Sequence, residues 1–139
     1  MRNSLIILAA SAVMAGCTQA PPPGQGAAAA DTRLEALIAG KVAGPPVSCL
    51  PSIYNSTVKQ EITSTAIAFV ASPGLVYVND VRGSGCEGTN GPMDSLVRKS
   101  HGSDLCSGDI VEIRDLQANT SHGSCSLSAF VPYQTAGSH

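Results

Sequence analysis

The chain has 139 residues, of which 43% are apolar, 13% charged and 4% aromatic. That length allows one domain, and a net charge of −2 provides no basic excess for nucleic acid. Trp is absent and Phe plus Tyr number five, so a base-stacking surface is not expected either.

Arg2 and the apolar run Leu5–Met14 have the make-up of a secretory signal: a positive start and a stretch too short to span a bilayer. Met14-Ala15-Gly16-Cys17 follows and resembles the bacterial lipobox, with Met14 where Leu is usual. The resemblance implies cleavage after residue 16, a thioether-linked diacylglycerol on Cys17 and palmitate among the acyl chains. Each buried CH₂ adds about 0.8 kcal/mol, so two or three chains hold a protein on a membrane. Thr18, rather than Asp, after the cysteine points to the outer membrane. Residues 17–30 are Pro-, Gly- and Ala-rich with no large apolar side chain, and are expected to form a disordered tether.

Residues 31–44 are expected to carry a short helix and the approach to the domain. Asp31 suits the N-cap, Leu34, Leu37 and Ile38 share a face, and Gly40 suits the C-terminal end. That face is expected to dock on the domain rather than recruit a partner.

From 45 to 134 the period changes to that of strands. The β-branched run Ile62–Val70 predicts a strand, Ser72-Pro73-Gly74 a turn, and Leu75–Asn79 a second strand closing a hairpin. Ile110, Val111 and Ile113 mark a third strand, and Leu127, Ala129 and Val131 a fourth. Asp94–Lys99 suits either a helical turn or a strand. The expected fold is mainly β: a small antiparallel sheet or half-open barrel with one short N-terminal helix and two disulfides. Residues 135–139 are expected to form a tail.

Cys49, Cys86, Cys106 and Cys125 are an even set in a chain expected to be exported, which predicts two structural disulfides. Four cysteines allow three pairings. A metal reading would use His122 with Cys125 or His101 with Cys106, but paired ligand spacing is lacking and no metal is expected. Gly83-Ser84-Gly85-Cys86-Glu87-Gly88 has the dinucleotide-loop spacing, yet Thr89-Asn90-Gly91-Pro92 follows where a helix would have to open. Ser100, His101 and Asp104 are too close in sequence for a triad and are expected to form a polar turn. His122 is expected in a solvated turn. Asp109 is expected to cap the turn before the third strand, and Asp104 and Asp109 supply too few carboxylates for calcium.

The run Ala39–Pro51 resembles the start of a family of small alphaproteobacterial envelope lipoproteins, often from sphingomonads, with no known function. The likeness continues through Thr65–Phe69, Tyr77–Asn79, Gly102–Asp109 and Leu127–Tyr133, covering about residues 35–134. Ser128 stands where relatives tend to carry Gly. The resemblance implies Cys49–Cys106 as one bridge and with it Cys86–Cys125 as the other. The longer loop makes Cys49–Cys106 the expected costlier loss.

The domains expected are thus a signal peptide at 1–16, a lipidated tether at 17–30, the helix and approach at 31–44, the stapled β domain at 45–134 and the tail. The expected protein is a lipid-anchored, non-enzymatic binding or accessory module of the cell envelope. Cys17 would hold it on the outer membrane facing the periplasm, with another envelope protein as partner and no cofactor. Two other classes remain open: a small inhibitor of a foreign hydrolase acting through the Cys86 loop, and an enzyme built from scattered residues such as His101, Asp104 and Asp109.

Overall fold

A computed structural model describes residues 25–50, 59–63, 65–82, 84–86, 94–99 and 102–137. Among the described residues the fold is mainly β, with one helix and antiparallel sheets that are not closed into a barrel.

Helix α1 spans Gln25–Ile38, so it begins six residues before Asp31. This corrects the boundary of the expected tether. The run Ala27–Ala30 lacks apolar bulk, but Ala has the highest intrinsic helix propensity, and Asp31 falls inside the helix rather than capping it. The C-terminal end is as expected. Gly40 takes φ +71°, a left-handed conformation that costs glycine nothing, and Lys41 Nζ donates to Leu37 O at 2.6 Å.

The next elements are β1 (Lys41–Ala43), β2 (Cys49–Leu50), β3 (Lys59–Ile62), β4 (Ala66–Ser72) and β5 (Leu75–Asp80). They are followed by β6 (Asp94–Arg98), β7 (Leu105–Cys106), β8 (Ile110–Asp115), β9 (Thr120–Ser126) and β10 (Phe130–Thr135). The main sheet has the order β1-β10-β5-β4-β3, the second the order β6-β8-β9, and β2 pairs with β7. The main sheet thus reaches back to Lys41 and forward to Thr135, beyond both expected edges of the domain.

The hairpin through Ser72-Pro73-Gly74 forms as expected. The expected single strand over 62–70 is instead two, because the chain turns at Thr63. Its buried hydroxyl accepts from the N–H groups of Ala66 (2.9 Å) and Thr65 (3.2 Å), and Thr63 N donates to Ala66 O. Thr has good strand propensity and can also satisfy a turn through its side chain, so the run looked continuous. Asp94–Arg98 resolves as a strand. The expected fourth strand starts late, at Phe130. Over Leu127–Ala129 the buried Asn79 amide replaces the ladder, with Nδ2 donating to Ser128 O (2.7 Å) and Oδ1 accepting from Ser128 N (3.0 Å).

Residues 119–123, expected as a turn, mostly belong to β9. This strand, Thr-Ser-His-Gly-Ser-Cys-Ser, lies at the edge of its sheet and buries only Cys125, so it lacks the apolar alternation that reveals a half-buried strand.

The core lies between the two larger sheets. Ile67, Phe69 and Phe130 meet Val111 and Ile113, with Phe69 and Phe130 in edge-to-face contact at 5.8 Å. On the opposite face of the main sheet, Leu34 and Ile38 of α1 lie over Ala66, Val78, Val131 and Tyr133. An ion pair between Arg33 and Glu61 fastens α1 to β3. The helix therefore docks on its own domain.

Candidate functional site

Cys49 and Cys106 are bonded across the β2–β7 pair, where they are direct register partners. Cys86 is bonded to Cys125, and both are 1% exposed in the core. This bridge pins the loop 84–86 to β9. At Gly85 (φ +102°) an added Cβ would lie 2.7 Å from Ser124 O, so the close approach requires glycine. With both sulfurs of Cys106 and Cys125 committed to bridges, the His–Cys metal sets weighed from sequence have lost their thiolates.

The other singled-out residues separate. Cys17 and His101 lie outside the described residues. Asp109 Oδ2 accepts from Cys106 N at 2.8 Å and caps the turn before β8 as expected. Asp104 is exposed, and its carbonyl accepts from Arg98 at 2.5 Å.

The second sheet brings together residues that the sequence kept apart. Asp94 on β6 and Asp115 on β8 are register partners. On β9, Gly123 pairs with Ile113 and Ser121 with Arg114, so His122 is the extra residue of a β-bulge. Bulges re-aim a side chain. Here one donor atom each from Asp94, Asp115 and His122 lies within 4.8 Å of the others. His122 Nε2 is 3.3 Å from Asp94 Oδ1, and the Asp94 side chain is 2% exposed against 40% for His122. Asp115 Oδ1 accepts from Gln117 N (2.7 Å) and Ala118 N (2.8 Å). The Ala118 N–H, then the Gln117 N–H and the nearby His122, hold the Asp115 carboxyl below its ordinary range. The cluster depends on the β6–β8 register and on β9 being a strand, and the polar sequence of β9 gives no sign of the latter.

A second charged node lies on the same sheet. Glu112 faces Lys99 Nζ (3.0 Å) and Arg114 Nε (3.5 Å). A hydrogen bond from Ser121 and then one from Lys99 pull its pKa down to about 2.

The surface also carries an apolar groove of about 520 Å³ beside the edge strand β1. Val42, Pro45, Val47, Tyr77 and Pro132 line it, and Val42 is 62% exposed.

Comparison with known proteins finds no matching family model, no matching curated protein and no matching solved structure.

Proposed function

We propose that the protein is a lipid-anchored binding or accessory module of the cell envelope. It is held by acylated Cys17 on the outer membrane, faces the periplasm and serves another envelope protein rather than catalysing a reaction. The observation that carries this reading is the order of the N-terminal residues: Arg2, the apolar run to Met14, then Ala15-Gly16-Cys17. Two disulfides in a domain of this size support an oxidising compartment. The apolar groove beside β1 supports a binding role, because apolar clefts rimmed by polar groups suit partners.

The test is metabolic labelling with a fatty-acid analogue, followed by fractionation. The wild type should carry label and sediment with outer membranes. Cys17→Ser should carry none and either leave the membrane or persist as an uncleaved precursor. Equal migration and fractionation of the two proteins would overturn the reading.

A further inference from the structure

We propose that Asp94, Asp115 and His122 form a three-ligand site for a divalent transition-metal ion, with zinc preferred over calcium. The three side chains come from three adjacent strands of one sheet, so strand pairing sets their spacing rather than a mobile loop. Their donor atoms converge to within 4.8 Å of one another. The 3.3 Å approach of His122 Nε2 to Asp94 Oδ1 is an ion-pair contact, not an aligned hydrogen bond.

Charge gives the second argument. Two carboxylates and one imidazole face one point, so oxygen donors with negative charge predominate there. The Asp94 side chain is 2% exposed, and a positive charge beside a buried carboxylate stabilises it. A divalent cation at the point of convergence neutralises both carboxylates at once.

The donor set selects the ion. Calcium takes six to eight oxygen ligands, whereas this cluster offers a nitrogen and two carboxylates. Imidazole with carboxylates suits zinc, and three protein ligands leave a fourth position for water. His122 is 40% exposed and gives the ion a path in from solvent.

The test uses full-length protein in detergent, disulfides intact, stripped with a chelator and dialysed, then titrated calorimetrically with zinc chloride. One zinc ion per chain should bind, and calcium at equal concentration should not displace it. His122→Ala, on the exposed side of the cluster, should weaken binding at least tenfold with an unchanged circular dichroism spectrum. Asp94→Asn should do the same where it folds, and His101→Ala should bind like wild type. No saturable zinc uptake, or equal uptake by His122→Ala, would overturn the assignment.

Discussion

The two larger sheets are held together in different ways. The main sheet is built from apolar strands: β4 buries Ile67 and Phe69, β10 brings Phe130 to the core, and α1 covers the opposite face. The second sheet has an apolar middle strand, β8, but its edge strand β9 buries only Cys125. Packing therefore accounts for the first sheet, while β9 depends on strand pairing, the Gly85 contact and a covalent bridge. In a thin core, a disulfide can stand in for the missing apolar face of a strand.

The two bridges offer the sharpest way to break that comparison. Chain entropy alone gives about 4 kcal/mol for each, and slightly more for Cys49–Cys106, which spans 57 residues against 39. Location reverses the order expected from sequence. Replacing both Cys86 and Cys125 with Ser also puts two hydroxyls into the core and releases β9, so it should cost more than about 4 kcal/mol. Replacing Cys49 and Cys106 with Ser should cost about 4 kcal/mol or less, because Cys49 is exposed. Urea denaturation of the two double variants measures the difference. Equal midpoints, or the lower midpoint for the Cys49–Cys106 variant, would show that loop length outweighs burial.

A smaller effect tests the main sheet. Asn79→Ala removes the amide that pairs with both backbone groups of Ser128, at a cost of about 2 kcal/mol. Its imprint should be local, with faster amide exchange at Ser128 and the start of β10 while β9 keeps its protection. Loss of protection in both sheets together would mean that they unfold as one unit.

The smallest effect belongs to the second sheet and appears only in acid. The pKa of Glu112 is pulled down to about 2 from an ordinary 4.5. Its contribution is therefore complete above pH 4.5 and is lost as the pH falls from there towards 2. Glu112→Gln should flatten the stability profile across that window and leave its shape above it unchanged. Thermal unfolding between pH 2 and 6 would show this, and an identical acid limb in the two proteins would remove Glu112 from the account.

The strands that could be read from sequence were those in which burial leaves a period. Leu75–Asn79 and Ile110–Ile113 alternate or cluster apolar residues, and Ser72-Pro73-Gly74 marks its turn chemically. β9 could not be read this way because its partners are a backbone ladder and a bridge, neither of which requires apolar side chains. Thr63 and Asn79 misled for a related reason. A side chain can supply hydrogen bonds that otherwise come from the main chain, and this moves a strand boundary without changing the hydrophobic pattern. The convergence of Asp94, Asp115 and His122 depends on the register of three strands plus a bulge, and single residues carry no record of that. The bridge pairing came from resemblance, since spacing alone left three choices.

The position of Cys49 also sets how the domain bears a mechanical load. A pull arriving from the N-terminal side meets α1 first and then β1, an edge strand whose pairs with β10 can open one at a time. Six residues after β1 the chain reaches Cys49, which is bonded to Cys106. Peeling stops there, because further extension must break a covalent bond or drag β7 and β8 out of the core. Residues 25–48 thus act as an extensible fuse with a reach of about 80 Å when drawn straight. Behind that fuse, the load passes to the bridge rather than to the ladder of hydrogen bonds.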